Sequence, residues 1–355
     1  MNDTSATTQQ PKPPVHKPLV PKPLAFSLLR LLGDGEFHSG EVLAQRLGVS
    51  RASVNNALHG MEQYGLTLYS VRGRGYRLAE ALQWLDADRI QAQLGTYAAE
   101  FNIEIADHAI SSNSAMLQRA AQHAPGGSVL AVEWQSGGRG RLGRSWHSGL
   151  GNALTFSLLW RFECGLSGLS GLSLAAGVAL IRALRSSGVD GVRLKWPNDV
   201  LGPNGKLAGI LIEAQGDMLG PSAVVIGVGV NLRLPQQVLQ HIEQAVTDLS
   251  QMTDTVPERN QLLALLLREL ANVLHEFSRH GFAGLRDEWE SYHLYQNQNV
   301  QLHLPDGKEI SGEVLGVTAE GALLLETPCR VTGQPEIRVF NAGEISLRSA
   351  GNAAA

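Results

Sequence analysis

The spacing of apolar residues changes twice along this chain, and this change constrains the fold more than any other feature. Apolar residues recur at helical spacing in short runs from Leu24 to about Ala79, strand-like and helix-like runs alternate from 85 to 290, and short strand-like runs follow Asn297. Because 355 residues are too many for one small core, the sequence predicts an α+β protein of two or three domains. We expect a tail at 1–23, a first domain at 24–82, a second at 85–292 and a third at 297–349.

The tail has the composition of an extended segment. Six prolines alternate with three lysines between residues 11 and 23. Proline-rich segments of this kind are extended and solvated, with no packed core of their own. We therefore expect this tail to lie outside the folded domains.

A helix, a tight turn and a second helix are predicted at the start of the first domain. Ser39 and Ser50 are placed to cap these two helices, and we expect the second to end near Gly65. This is the pattern of a helix-turn-helix, whose second helix enters the DNA major groove. Two strand-like runs at 67–71 and 76–78 then form a hairpin with basic residues at its tip.

The polar face of the second helix and the hairpin tip predict contacts with DNA, because hydroxyl, amide and guanidinium groups hydrogen-bond to base edges and phosphates. The net charge of −4 limits any such contact to a local patch. The alternative is a helical packing module with a solvated polar face. The residues expected to face DNA are Ser50, Arg51, Ser53, Asn55, Asn56 and His59 on the helix, and Arg72 and Arg74 on the hairpin.

The second and third domains differ in their mixture of elements. Several strands of the second domain follow one another without an intervening helix, so its sheet should be mixed. Its strands are predicted at 129–134, 154–160, 192–196, 207–213 and 223–230, and its helices near 114–122, 172–186, 258–279 and 283–292. The third domain has short strands predicted at 300–304, 309–314, 322–326, 336–339 and 345–347, which fit a small β-barrel.

Three arginines lie among glycines at 137–146, in the segment Gly-Gly-Arg-Gly-Arg-Leu-Gly-Arg-Ser-Trp. Glycine lets the backbone approach a ligand closely, and the guanidinium fork matches carboxylate and phosphate groups. Two further segments follow, Lys-Trp-Pro-Asn-Asp at 195–199 and Lys-Leu-Ala-Gly-Ile at 206–210. Alone, the first segment is equally compatible with a solvated basic loop, but the three together predict a ligand site.

These segments resemble the signatures of biotin protein ligases, specifically the bifunctional kind that also represses biotin-synthesis genes. The segment at 138–144 is similar to the adenylate-binding loop of that family, those at 195–199 and 206–209 to its second signature, and that at 343–348 to its C-terminal end. The resemblance extends from about residue 24 to 349. It implies a winged helix-turn-helix, a mixed-sheet ligase domain like that of class II synthetases, and a C-terminal SH3-like β-barrel.

The resemblance also implies the reaction. ATP and biotin, with Mg²⁺, would give biotinyl-adenylate and pyrophosphate, and an acceptor lysine would then attack the adenylate. The biotin-binding residues implied are Ser111, Ser112, Asn113, Gln135, Arg139, Gly140, Arg141 and Lys206. Those implied for ATP are Arg139, Arg141, Arg144, Lys195 and Arg348, and those implied for catalysis are Arg141, Arg144 and Lys206. The metal ligands stay open, since Asn198 and Asp199 could bind Mg²⁺ or, as we favour, fix a turn.

Two positions depart from the family pattern. Ile110 stands where an aspartate is usual, and Leu142 stands where a basic residue often sits. The segment 232–250, where the family has an adenylate-covering loop, is too divergent to assign residues. Three alternative functions stay open for the chain: a lipoate ligase, a biotin ligase with a vestigial helix-turn-helix, and a ligand-sensing repressor without catalysis.

The expected partners follow from the same resemblance. They are a biotin carboxyl carrier protein of acetyl-CoA carboxylase, the operator DNA of biotin-synthesis genes, and a second copy of the chain when the adenylate is bound. Two cysteines, Cys164 and Cys329, provide no disulfide framework and suit a reducing cytoplasm. We expect no membrane span, because glycines and serines interrupt the longest uncharged run, at 164–181.

Overall fold

A computed structural model of the protein describes residues 20–304, 307–328, 334–341 and 346–349, the last range without side chains. Most of the expected tail therefore lies outside the described residues. Pro23 begins the first helix, one residue before the expected start of the first domain. Proline suits this position because the first N–H of a helix has no partner within the helix.

The first domain is a helix-turn-helix followed by a hairpin, as the sequence predicts. Ser39 Oγ and Ser50 Oγ each accept an N–H from the first turn of the helix that they cap. The second of these helices ends earlier than expected, at Leu58, because Gly60 has φ +75° and a separate 3₁₀ helix follows at Met61–Tyr64. The elements are α1 (Pro23–Leu31), α2 (Gly40–Leu47), α3 (Arg51–Leu58), β1 (Leu68–Val71) and β2 (Gly75–Leu78).

The central domain is built on a seven-stranded sheet. Its strands are β3 (Asn102–Ala109), β4 (Ser128–Gln135), β7 (Ala153–Phe162), β8 (Arg193–Lys195), β9 (Asp199–Gly202), β10 (Gly205–Gly216) and β11 (Ser222–Asn231), with β5 (Gly138–Arg139) and β6 (Ser145–Trp146) forming a separate pair. Its helices are α4 (Ala87–Leu94), α5 (Ser112–Ala121), α6 (Leu172–Ser186), α7 (Gln236–Leu239), α8 (Arg259–His280) and α9 (Arg286–Tyr292). The order of the sheet is β3-β4-β7-β11-β10-β9-β8, in which β3 and β4 alone are parallel neighbours. This confirms the mixed sheet, whereas α4, α7, β3, β9 and the pair of β5 and β6 were not predicted.

Helices cover both faces of this sheet. Along β7, Phe156 and Leu158 belong to the core that includes α6 and α8, whereas Leu159 packs in a smaller core with α5. Successive strand residues point to opposite faces, so Ser157 lies on the same face as Leu159. This is the face on which α5 begins, and it positions the pocket described below.

The first domain packs directly on the central domain. Trp134 and Leu150, on and just before central strands, are buried within the core cluster of the helix-turn-helix. The ring of Trp134 meets that of Tyr64 edge-on, with centroids 5.1 Å apart. Arg30 of α1 also forms an ion pair with Asp107 of β3. The strand that carries Trp134 therefore connects the two domains physically.

The third domain is an antiparallel sheet of five strands. Its apolar side chains join the main core of the central domain, and the indole N–H of Trp196 donates to the carbonyl of Gly321 at 3.1 Å. The strands of the third domain are β12 (Asn299–His303), β13 (Glu309–Val317), β14 (Leu323–Pro328), β15 (Pro335–Phe340) and β16 (Ser346–Ser349). Their order in the sheet is β15-β14-β13-β12-β16. No helix among the described residues has the length and apolar character needed to cross a membrane.

Candidate active site

A pocket opens on the sheet face where α5 begins, and it encloses about 470 Å³ of space that includes some open solvent. All eight residues that the sequence implied for biotin line it, together with Trp146, Thr155, Phe156, Asn198, Gly209, Ile210, Leu211, Gly227, Val228 and Gly229. The structure therefore brings together residues that lie almost a hundred positions apart.

The inner end of the pocket is polar because the first turn of α5 points into it. Ser111 caps this helix by accepting the N–H of Ser114. The N–H of Ser112 donates to Gln135 Oε1 at 2.7 Å, which fixes the end of β4 against the helix. Ser111, Ser112 and Asn113 are all nearly inaccessible to solvent. Such buried polar groups are costly unless they find partners.

Glu213 of β10 links two of the lining side chains, and the sequence analysis missed it. Its Oε2 accepts from Asn113 Nδ2 at 3.0 Å and from Arg139 Nη2 at 2.5 Å. The carboxylate therefore holds the arginine of the glycine-rich loop over the polar end of the pocket. The signal available in the sequence was its place at the end of the strand predicted at 207–213.

Lys206 lies at the other side of the pocket, in an ion pair with Asp199. Its Nζ is 2.7 Å from Asp199 Oδ1, and both side chains are less than a fifth exposed. The ammonium is also 5.7 Å from the ring centre of Trp146. Gly209 leaves the space that this ammonium occupies, since a Cβ there would lie 3.2 Å from Nζ. Trp146 forms the pocket wall, and its indole N–H is buried without a hydrogen-bond partner.

Arg141 reaches the same side of the pocket from the glycine-rich loop. Its Nη1 donates to Asn198 Oδ1 at 3.1 Å, while Asn198 Nδ2 donates to the carbonyl of Ile210 at 2.9 Å. Burial lowers the pKa of Arg141 from its ordinary value, the neighbouring charge of Asp199 opposes this, and Arg144 adds to it. A guanidinium still titrates far above neutral pH, so Arg141 is a partly desolvated cation ready to meet an anion.

The segment 232–250 contacts Lys206 through the backbone. The N–H of Lys206 donates to the carbonyl of Ala245, and the N–H of Thr247 donates to the carbonyl of Lys206, both at 3.0 Å. Asn231 Nδ2 donates to the carbonyl of Thr247 at 3.1 Å. These contacts fix the position of Lys206. No residue pattern in the divergent segment predicted them.

The residues implied for ATP are only partly brought together. Arg139 and Arg141 line the pocket. Arg144 is exposed and Lys195 is half-buried at the end of β8, and both lie outside the lining. The side chain of Arg348 lies outside the described part of the chain. The segment 342–345 of the C-terminal signature also lies outside it.

No group of three or more His, Cys, Asp or Glu side chains that could hold a metal occurs among the described residues. At the pocket, Asn198 is engaged with Arg141 and β10, which fits a role in fixing the turn. Asp199 is the carboxylate beside Lys206. Mg²⁺ commonly binds through one or two carboxylates plus substrate phosphates, so the site fits a Mg²⁺ that arrives with a nucleotide.

The residues expected to face DNA lie on α3, at its two ends and at the tip of the hairpin, and all except Ser53 are exposed. Arg51, Asn55, Asn56 and His59 are exposed on α3 or at its end. Ser50 caps that helix, and Ser53 Oγ is 2.9 Å from Ser50 Oγ.

Two of the side chains expected to face DNA are held by neighbouring residues. Asn55 Oδ1 accepts from the hydroxyl of Tyr76 on the hairpin at 3.1 Å, and the guanidinium of Arg74 lies 4.1 Å above the ring of Phe37. Arg72 is exposed at the hairpin tip.

Three family models match successive parts of the chain. Residues 25–77 match an HTH domain, residues 109–231 match the Biotin/lipoate A/B protein ligase family, and residues 296–348 match the Biotin protein ligase C terminal domain.

The chain is similar along nearly its full length to curated proteins. It is 39% identical to the Bifunctional ligase/repressor BirA of Salmonella typhimurium over 92% of this chain and 98% of that protein. The corresponding protein of Bacillus subtilis is 31% identical over 82% of this chain and 90% of its own length. Among solved structures, the biotin protein ligase from Aquifex aeolicus in complex with biotin and ATP superposes with a TM-score of 0.57 and 26% identity, over 70% of this chain and 99% of that one.

Proposed function

The chain belongs to the family of bifunctional biotin ligases and repressors, and from this premise we propose how its residues bind and activate biotin. It is a biotin–protein ligase that uses ATP, and its helix-turn-helix serves the repressor role. The observation that carries the residue assignments is that one pocket brings a buried polar end together with the cations Arg139, Arg141 and Lys206.

Biotin fits this pocket by chemical complementarity. Its ureido group has two donors and one acceptor, which matches the hydroxyl and amide groups at the inner end. Its carboxylate would then lie towards Lys206 and Arg141. Lipoate is the second candidate substrate, but its dithiolane ring has no hydrogen-bonding group of this kind. Binding it would leave the remaining donor and acceptor positions of Ser112, Asn113 and Gln135 against an apolar ring, which is unfavourable.

The first step is the attack of a biotin carboxylate oxygen on the α-phosphorus of ATP. The new bond joins that oxygen to phosphorus, the bond to the bridging oxygen breaks, and pyrophosphate leaves. The carboxylate is already ionised at neutral pH, so the site needs cations and positioning rather than a base. We assign Lys206 to the charge between carboxylate and α-phosphate, with Arg141 and Arg139 closing over the adenylate. Arg144, Lys195 and Arg348 are assigned to the outer phosphates.

The ion pair with Asp199 prepares Lys206 for this role. In the structure, the carboxylate holds the ammonium in the pocket at 2.7 Å. An incoming biotin carboxylate and phosphate offer the lysine stronger partners, which frees Asp199. Mg²⁺ supplies charge neutralisation on the nucleotide phosphates when bound, and Asp199 is the side chain at this site that would hold it.

In the second step, the amine of an acceptor lysine attacks the acyl carbon of the adenylate, and AMP leaves. We propose that the acceptor is a biotin carboxyl carrier protein, a subunit of acetyl-CoA carboxylase. The name "Biotin--[acetyl-CoA-carboxylase] ligase" of the Mycobacterium tuberculosis relative, 31% identical over 74% of this chain, supports this choice. We place the protein in the cytoplasm, where ATP, the carrier and DNA are all present.

For the repressor role, we propose that the adenylate-bound chain forms a homodimer on an inverted repeat upstream of biotin-synthesis genes. One small module binds DNA weakly at physiological salt, whereas two modules on a symmetric site make the second contact intramolecular. The expected DNA contacts are those of the exposed face of α3 and of the hairpin arginines.

Two assays test these proposals. Purified protein should transfer labelled biotin to a carrier-domain lysine only when ATP and Mg²⁺ are present. Transfer of lipoate in preference to biotin would contradict the substrate assignment. In a mobility-shift titration, biotin plus ATP should lower the protein concentration required for operator binding, and excess acceptor should reverse this. Equal half-saturation with and without biotin and ATP would contradict the coupling.

A further inference from the structure

Ser157 lies behind the polar end of the pocket, on β7, with its side chain fully buried. Its Oγ is 2.6 Å from Asn113 Oδ1 and 2.8 Å from Ser112 Oγ. We propose that Ser157 is a positioning residue that fixes this end of the pocket as a pair of hydrogen-bond acceptors. The site thereby selects a ligand with two N–H groups on one ring, such as the ureido ring of biotin. This inference rests on the proposed ligase function.

The orientation of the Asn113 amide is the first step. Its Nδ2 lies 3.1 Å from the carbonyl oxygen of Leu211 and 3.0 Å from Glu213 Oε2. A backbone carbonyl only accepts hydrogen bonds, and so does a carboxylate. The NH₂ group must therefore face these two oxygens and uses both of its hydrogens on them. The amide oxygen faces Ser157 and keeps one lone pair for the pocket.

The orientation of the Asn113 amide determines where the hydroxyl hydrogens of Ser157 and Ser112 point. Ser157 has a single hydroxyl hydrogen, and Asn113 Oδ1 can only accept, so Ser157 donates to the amide oxygen. The contact with Ser112 Oγ then requires that Ser112 donate to Ser157, since otherwise two lone pairs would meet at 2.8 Å. Ser112 consequently presents only lone pairs to the pocket. Both Ser112 Oγ and Asn113 Oδ1 are acceptors for a ligand.

Two neighbouring side chains, Gln135 and Ser111, offer hydrogen-bond donors to a ligand instead. Gln135 Oε1 accepts the N–H of Ser112, which leaves the amide NH₂ of Gln135 as the donor to a ligand. Ser111 Oγ accepts the N–H of Ser114, which leaves its hydroxyl hydrogen. The pocket thus offers two acceptors and two donors. A cyclic urea, with two N–H donors and one carbonyl acceptor that takes two hydrogen bonds, complements this set.

Gly227 makes the arrangement possible. It lies directly opposite Ser157 in the register of β7 and β11, and a Cβ at this position would be 2.1 Å from Asn113 Oδ1. Without a side chain there, the Asn113 amide rests against the sheet and reaches the buried hydroxyl. The acceptor pair therefore depends on one serine and one glycine that face each other across two strands.

The test uses the full-length protein, biotin and the two cyclic carbamate analogues of biotin in which oxygen replaces one ring N–H. Calorimetric titration gives the affinity of each. The wild-type protein should bind at least one analogue roughly a hundredfold or more weaker than biotin, because a lone pair then faces a fixed acceptor. In Ser157→Ala, the Ser112 hydroxyl loses its acceptor within the protein and can donate to the ring oxygen of the analogue. The ratio of biotin to analogue affinity should then fall about tenfold or more.

Three comparisons separate this role from a general effect of losing a buried serine. Ser222→Ala removes another buried hydroxyl of the same sheet, which donates to the carbonyl of Cys164, and should leave the ratio at its wild-type value. Ser157→Cys keeps a weak donor and should give an intermediate ratio, which also serves if the alanine variant does not fold. The rate at saturating biotin should change far less than the KM for biotin.

The results that would overturn the role of Ser157 differ from those that would overturn the proposed function. An unchanged ratio in folded Ser157→Ala and Ser157→Cys, with normal biotin transfer by the wild-type protein, would overturn this inference alone. An equal change of the ratio in Ser222→Ala would overturn it as well. A wild-type protein that binds no biotin would overturn the proposed function, and this inference with it.

Discussion

Arg259 of α8 and Glu133 of β4 form an ion pair inside the central domain, and its removal should be strongly destabilising. Arg259 Nη1 is 2.7 Å from Glu133 Oε2, and their side chains are 2% and 0% exposed. Glu133 Oε1 also accepts the N–H of Leu85, and Arg259 Nη2 donates to the carbonyl of Ala153. These bonds anchor the connection between the first two domains to the sheet.

The change Arg259→Met keeps the apolar length of the side chain but leaves the Glu133 carboxylate buried and unpaired. Breaking a buried pair in this way costs about 3–5 kcal/mol of the free energy of unfolding. For a cooperative unit of 150–250 residues, this corresponds to a decrease in Tm of roughly 6–20 °C. Adding Glu133→Gln removes the unpaired charge and should restore part of the loss.

Thermal unfolding followed by circular dichroism measures the effect, and saturating biotin identifies the transition of the ligase domain by raising its Tm. Arg185→Met is the surface control, because Arg185 pairs with Asp190 at 3.9 Å with both side chains largely exposed, and its other polar contact is a hydrogen bond to the hydroxyl of Tyr292. Such pairs contribute at most about 1 kcal/mol. If Arg259→Met lowered Tm no more than Arg185→Met does, the argument from burial would be refuted.

Three further predictions concern the two binding sites. Arg141→Gly removes a charge-assisted hydrogen bond that contributes about 1.5–3 kcal/mol, so the adenylate should dissociate faster and label bystander lysines; a wild-type residence time in a chase experiment would exclude this role. Arg74→Ala should weaken operator binding in a mobility shift and spare ligation, whereas equal loss of both activities would indicate a folding defect. Gly227→Ala should raise the Kd for biotin roughly fivefold or more through overpacking against Asn113, and an unchanged Kd would mean that Asn113 does not contact the ligand.

Local patterns in the sequence predicted much of the fold. The caps Ser39 and Ser50 work through hydrogen bonds within three residues, so their effect can be read from adjacent positions. Five of the seven strands of the central sheet were predicted to within a few residues, because β-branched and apolar runs are enriched wherever a strand is buried on both faces. Strand β3 was missed, and none of its residues is fully buried. Strand β9 was missed because it is short and enters the turn at Asp199.

The candidate site was harder to predict from the sequence, because several of its residues act through tertiary contacts. The glycine-rich loop and Lys206 carried signatures that could be recognised alone. Glu213 and Ser157 did not, since each acts on Asn113 from a different strand, and only the sheet register brings them together. The backbone bonds between Lys206 and the divergent segment are of the same kind, because a backbone contact places no demand on side-chain identity.

The formation of adenylate by Lys206→Ala tests the central claim most directly. Labelled ATP and biotin are mixed with the enzyme in the absence of acceptor, and pyrophosphate release is followed in a single turnover. If Lys206 neutralises charge between carboxylate and α-phosphate, its removal should slow this step roughly a hundredfold or more, while preformed biotinyl-adenylate should partly restore transfer to a carrier. Lys22→Ala, at the residue just before α1, should match the wild type. An unchanged first-step rate in Lys206→Ala would contradict the assignment of this pocket as the site of adenylate formation.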